Sequence, residues 1–253
     1  MKAPSQVLIK LALLLSVLGA GVASPFSFAD EITIAVTDNF DFTLEELKRE
    51  FETQTGHLVI VNPGTSAQHY ARILDGADVD IFLSEDSMRP EILEKEGMII
   101  TGTRFTYARG RLVLWSVKNR PLTPKVLSDN DFQYLAIANP RLAPYGRAAK
   151  EFLEAMDLWE TLQEKLVIGE NIGQTYQFAI SGDVDMALIA FSQIIYGNYL
   201  QAGSYWPIPE SFYTPIELQG GLLKDSPAGK DFLQFISSAQ GREIILSNGF
   251  FVP

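Results

Sequence analysis

Two rhythms of apolar and polar positions take turns along this chain. "EITIAV" (Glu31 to Val36) alternates with period two and is rich in β-branched residues, which predicts a strand. In "TLEELKREFETQTG", Leu44, Leu47 and Phe51 recur at helical spacing until Gly56, with Thr43 and Glu46 reading as a capping box at its start. "HLVIVN" predicts the second strand, and "PGTSAQHYARIL" a turn opening a second helix. "VDIFLSED" (Val79 to Asp86) is almost continuously apolar, the pattern of a strand covered on both faces. A short helix over Pro90 to Lys95 ends at Gly97. The order βαβαβα predicts an open α/β sheet, whose ligands bind beyond the carboxyl ends of the strands.

A second run follows the same grammar. "RLVLWSV", "YLAIANP", "KLVIG" and "VDMALIAFSQ" read as strands, while "APYGRAAKEFLEAMDLWETL" and "ENIGQTYQFAISG" read as a turn opening a helix. "YTPIELQGGLLK" predicts a strand passing back, and "AGKDFLQFISSAQGREIILSNGF" a terminal pair of helices. No sequence repeat, low-complexity tract or proline-rich linker separates the runs, so the two lobes share a grammar and not a sequence.

Composition narrows the function. With 253 residues, 47% hydrophobic and 20% charged, the chain can build a large core. A formal net charge of -11 gives no basic footprint, which excludes nucleic acid as partner and disfavours an anionic membrane surface. The absence of cysteine removes disulfides, thiolate metal sites and a cysteine nucleophile. His57 and His69, the only histidines, fit no compact metal pattern and read as ordinary polar positions. Lys2 and Lys10 precede the apolar run Leu11 to Ala23, and Ser27 and Ala29 form a small-x-small signal. The run is shorter than the roughly 18 to 20 residues of a membrane span. Residues 1–29 therefore read as a signal peptide cleaved after Ala29, and the protein as exported and periplasmic.

Four strand-to-helix turns carry the candidate chemistry: Asp38-Asn39, Thr65-Ser66-Ala67, Pro144-Tyr145-Gly146 and Asn171-Ile172-Gly173. Any one alone reads as a helix cap. Four on the loop side of strands in two lobes form a stronger pattern: if the lobes face each other their donors converge, and each helix N-terminus carries about half a positive charge. Several together can hold a dianion without a lysine. Asp38, Asp41, Asp80, Glu85 and Asp86 are candidate general acids and bases, but Asp80 and Asp86 are better read as strand-end caps or ion-pair partners. Ser66 lies in no G-x-S-x-G and no Ser-His pair has a family spacing, so no catalytic residue is assigned. Tyr199, Tyr205, Trp206, Phe212 and Tyr213 either line a cleft or pack the lobes.

The blocks "AVTDNF", "GTSAQHYARILDG", "DIFLS", "RFTYARGRLVLWS", "LAIANPRLAPYGRAAKEFLE", "GENIGQTYQF", "ALIAFSQ" and the C-terminal "GRE" with "LSNGF", in this order from Glu31 to Phe250, resemble the periplasmic molybdate-binding proteins of molybdate ABC transporters. The resemblance implies a two-lobed α/β binding protein of type II topology, each lobe a mixed, mostly parallel sheet flanked by helices. Lobe 1 would comprise residues 30–110 and 214–253, and lobe 2 residues 111–213, with crossovers near Ala108 to Leu112 and Phe212 to Glu217. It implies hinge closure on molybdate or tungstate, held as an oxyanion and not at a cation site, with no cofactor, and delivery to an ABC permease by a monomer. Asn39, Ser66, Tyr145 and Ile172 fall on the family's ligand positions, with Asp38 and Ala67 as further backbone donors. Where family members often have Gly and Lys after the serine, this chain has Ala67 and Gln68. Asp38 stands where a small or hydroxyl residue is usual, and is expected to turn away and cap the following turn. Two alternatives stay open: another anion, such as sulfate or a small organic anion, and a secreted ester hydrolase using the acidic cluster.

Overall fold

The structure is a computed structural model and describes residues 29–253. The signal-peptide reading lies outside the described residues except at Ala29. The first run folds as β1 (Glu31–Thr37), α1 (Asp41–Thr55), β2 (Leu58–Gly64), α2 (Ser66–Leu74), β3 (Ile81–Leu83), α3 (Met88–Lys95) and β4 (Phe105–Gly110). Next come β5 (Leu112–Ser116), α4 (Pro124–Asp129), β6 (Leu135–Ala138), α5 (Pro144–Ala155), α6 (Trp159–Leu162), β7 (Leu166–Gly169), α7 (Ile172–Ser181) and β8 (Met186–Ala190). A small hairpin, β9 (Ile195–Tyr196) and β10 (Tyr199–Leu200), leads to β11 (Ser204–Pro207). The chain ends with β12 (Ile216–Leu222), α8 (Pro227–Ile236) and α9 (Ala239–Ser247).

Two five-stranded sheets result, ordered β2-β1-β3-β12-β4 and β11-β5-β8-β6-β7. In the first, β1 pairs parallel with β2 and β3, while β12 runs antiparallel to both β3 and β4. In the second, β6 pairs parallel with β7 and β8, while β5 runs antiparallel to both β8 and β11. Each sheet thus has one reversed strand among four that run together, the type II pattern. Register aligns the carboxyl ends: Thr37 lies opposite Gly64, Val36 opposite Leu83, and Ala138 opposite Gly169. The four candidate turns all follow these ends.

The chain passes from the first sheet to the second through Arg111, and returns between Pro207 and Ile216. At the first crossing a Cβ built on Gly110 would lie 2.8 Å from Cζ of Tyr145, so only glycine lets that ring reach the crossover. At the second, Tyr213 accepts a hydrogen bond from the Leu112 N–H at 3.2 Å. Trp206 and Phe212 pack against Phe152, Tyr205 tilts onto Phe191, and Tyr199 is exposed. Most of these aromatics pack the second lobe and do not line the cleft.

One expectation fails at the start of α1. The helix begins at Asp41, with Phe40 at the cap position and no side-chain cap, and Thr43 is buried inside the first turn. Glu46 instead accepts from Nδ2 of Asn248 at 2.8 Å. A 3-10 turn over Asp38–Phe40 runs straight into the helix, driving Phe40 edge-on against Tyr107 and Phe250. Burying a phenylalanine is worth about 1.5–3 kcal/mol, against about 1 kcal/mol for a cap, so packing sets the boundary. Both histidines are buried in structural contacts. His57 Nδ1 accepts from the Asp30 N–H at 3.1 Å. His69 Nε2 lies 3.1 Å from the Val36 carbonyl, so that nitrogen carries the proton.

Candidate functional site

The turns at the carboxyl edge present their backbone N–H groups by ordinary capping chemistry. Thr65 is extended (φ -75°, ψ 147°); its Oγ1 accepts from Gln68 N–H at 3.2 Å, and Gln68 Oε1 accepts from Thr65 N–H at 3.3 Å. This capping box occupies the third helical N–H of α2 and leaves those of Ser66 and Ala67 without an intrahelical acceptor. It also gives Gln68 a structural role: its side chain closes the cap. In α7, Asn171 Oδ1 accepts from Gln174 N–H at 2.8 Å, leaving the Ile172 and Gly173 donors open. In α5, Pro144 takes the first position, where its missing N–H costs nothing, and Tyr145 follows with its N–H open. Gly146 holds α5 against the end of β6: a Cβ there would sit 2.6 Å from the Asn139 carbonyl carbon.

Asn39 joins the lobes. Its Nδ2 donates to the Tyr145 hydroxyl at 3.2 Å, and its carbonyl accepts from Ser192 Oγ at 3.3 Å. Its Oδ1 is buried without a partner. Gln193 Nε2 donates to the Ile172 carbonyl at 2.9 Å while its Oε1 accepts from Ala190 N–H at 3.1 Å, pinning the start of α7. Ser66 Oγ accepts from the Glu85 N–H at 2.9 Å, which leaves the serine O–H free to donate. Ser66 and Tyr145 are 0% exposed, Ile172 2% and Asn39 8%, and the Asn39 to Tyr145 bond closes the seam between the two sheets. Ala67 lies outside it, on a cleft of about 380 Å³ that Glu85, Asn139 and Asn171 also line.

Asp38 departs from expectation. Among the described residues it makes no side-chain cap; a Cβ built on Gly173 would lie 3.9 Å from Asp38 Oδ2, so the carboxyl faces the first turn of α7 across the seam. It stands at the head of the 3-10 turn, close enough to Asp41 at the start of α1 to raise that carboxyl's pKa, and faces the partial positive charge of the α7 N-terminus. Asp38 keeps solvent contact, yet partial desolvation raises its pKa above the ordinary carboxylate range. Glu85 is more strongly perturbed. Burial pushes it up to about 8, with Asp86 and Asp38 adding to the rise and Arg89 and Arg147 opposing it. Burial likewise holds the Tyr145 hydroxyl neutral, well above its usual range.

Asp80 and Asp86 do structural work, as read from the sequence. Asp80 Oδ2 accepts from Thr33 N–H at 2.8 Å and Oδ1 pairs with Lys224 at 3.2 Å; Asp86 caps and pairs with Arg89. Sequence reasoning did not single out Ser192 and Gln193 as site residues, although "FSQ" follows β8 at the same edge and a fifth turn was there to be counted. Among the described residues no cluster of three or more metal-ligating side chains occurs.

The bacterial extracellular solute-binding protein family model matches residues 32–251. The chain is 38% identical to the molybdate-binding protein ModA of Azotobacter vinelandii over 95% of its own length and 97% of that protein. It is also 38% identical to ModA of Rhodobacter capsulatus, over 91% of each chain. The solved periplasmic molybdate-binding protein of Azotobacter vinelandii superimposes with a TM-score of 0.82 at 35% identity, covering 88% of this chain and 99% of that one. The chain belongs to the bacterial extracellular solute-binding proteins, on the branch that holds the ModA-type molybdate-binding proteins.

Proposed function

We propose that this protein captures molybdate in the periplasm and hands it to an ABC permease, closing its two lobes (residues 30–110 with 214–253, and 111–213) over the anion. The observation that carries this is the meeting of helix N-termini from both lobes with Asn39 and Ser66 at one buried seam. Each offers neutral donors, and no lysine or arginine is needed to balance a dianion held by several of them. The ligand groups are the Ser66 O–H and the N–H groups of Asn39, Ser66, Tyr145 and Ile172, with those of Asp38 and Ala67 beside them. A turn of the Asn39 amide lets Tyr145 donate to Oδ1 and frees Nδ2 for the anion, which accounts for the orphaned oxygen.

Specificity follows from a fixed cavity. Tungstate matches molybdate in charge and shape and is expected to bind as well. Sulfate is smaller, so rigid donors stand too far from its oxygens. Protonated phosphate brings a hydrogen where the site offers donors. The protein acts as a monomeric carrier without a cofactor or catalytic step. Titration calorimetry of the mature chain with molybdate, tungstate, sulfate and phosphate tests this. Strong binding of the first two only is expected; no heat and no thermal shift with either overturns it, and tight binding of sulfate alone reassigns the ligand.

Asp38 opposes capture, because a carboxylate beside the seam repels a dianion. Solvent contact weakens that repulsion, as it does for exposed charges generally. An Asp38→Asn variant is expected to bind molybdate about tenfold more tightly at low salt, the gain shrinking as salt is added. The same calorimetry at two ionic strengths checks it.

A further inference from the structure

Two carboxyls line the cleft, Glu85 and Glu170, and Glu85 is the buried one that the capture scheme leaves unused. Its N–H is bonded to Ser66 Oγ, the residue is 6% exposed, and its Oε2 is buried without a partner. It lines the cleft beside Ala67 and Asn171, and also a second hollow of about 120 Å³ beside Pro144, Arg147 and Ile216. The carboxyl thus stands between the two lobes, next to the donors of the seam.

We propose that the oxyanion is taken up together with a proton held on Glu85, which turns this carboxyl from a repelling charge into a hydrogen-bond donor of the closed site. The proposal rests on the oxyanion-capture reading above. An ionised Glu85 would put a second negative charge beside a dianion that already faces Asp38, and leave a buried carboxylate oxygen unbonded. The neutral acid has an O–H, and an acceptor-only dianion supplies the missing acceptor. Below about pH 8 the proton is already on Glu85 when the anion arrives; above it, the proton comes from solvent on binding and returns to it on release, and no other bond is made or broken.

The surroundings favour the neutral form. Asp38 faces it from the 3-10 turn, Asp86 and Arg89 from its own segment and α3, Arg147 and Tyr145 from α5, and Tyr107 from β4. The two arginines oppose protonation, but Arg89 is already paired with Asp86. Burial outweighs them and places the group at about 8 before any ligand arrives. A dianion nearby raises it further.

Calorimetry with molybdate in paired buffers of different ionisation enthalpy tests the idea. Proton uptake should be negligible near about pH 6 and approach one per molybdate near about pH 9, with affinity falling up to about tenfold per pH unit above about 8. Glu85→Gln should flatten that profile and abolish the uptake, whereas Asp38→Asn should keep the uptake and displace the profile to lower pH, because Asp38 helps to raise Glu85. A flat wild-type profile, or a dependence that disappears with Asp38→Asn and survives Glu85→Gln, overturns the proposal. If molybdate binds at no pH, the ligand assignment has failed instead. The ¹³C titration of the Glu85 carboxyl in the ligand-free chain then decides: a midpoint near 8 supports the proton, and one in the ordinary carboxylate range overturns it.

Discussion

An Ile172→Pro variant is expected to keep α7 intact and bind molybdate about a hundredfold more weakly. Ile172 is the first residue of the helix, a position where proline is accepted because its N–H has no intrahelical partner and its fixed φ is already helical. The preceding residue must be extended, and Asn171 is, at φ -144° and ψ 177°. The substitution therefore removes one backbone donor and little else of the helix. A hydrogen bond to a charged group is worth about 1.5–3 kcal/mol, one to two decades of affinity, and the proline ring also blocks water from replacing it. Ile172→Val keeps the N–H and trims one methylene, so it should bind within a few-fold of the parent. Thermal melts of the ligand-free variants separate lost packing from a lost donor. Equal affinities for the proline and valine variants would remove the Ile172 N–H from the site.

What the sequence made legible was local. Thr65, Asn171 and Pro144 set their helix starts through contacts within four residues, so the turns could be placed from the chain itself. Strand ends followed from alternation, and with them the common edge. The miss at Thr43 has a non-local cause: Phe40 is drawn in by Tyr107 and Phe250, from β4 and the C-terminus. Asp38 shows the same limit, since it faces a helix of the other lobe. Ser192 bonds to Asn39 across 153 positions, a contact no spacing rule contains. Glu85 was visible as an acid at a strand end, but its burial depends on residues distant in sequence, such as Tyr107 and Tyr145.

Replacing Glu85 with glutamine should change how stability depends on pH more than any other single substitution at the seam. The carboxyl titrates near 4.5 in the unfolded chain and near 8 in the folded one. Because the folded value is raised, the folded state gains nothing from ionisation until about pH 8, while the unfolded state gains from about 4.5 upward. Wild-type stability tied to this group is therefore fully present below about 4.5, lost as pH rises toward 8, and constant above. The spacing of the two values corresponds to a loss of about 4–5 kcal/mol, of which roughly 3 is already spent at pH 7. Glutamine cannot ionise, so this slope disappears. The stability of Glu85→Gln minus that of wild type should climb by about 4 kcal/mol between about pH 4.5 and 9, on the order of 10 °C in melting temperature for a chain of this size. Groups titrating in both proteins, such as His69 with its burial-lowered pKa, largely cancel in that difference. Denaturant unfolding of ligand-free protein across the range measures it. Parallel curves would mean that Glu85 is charged in the closed seam, and that Asp38 and Glu85 together confront the anion as two fixed negative charges.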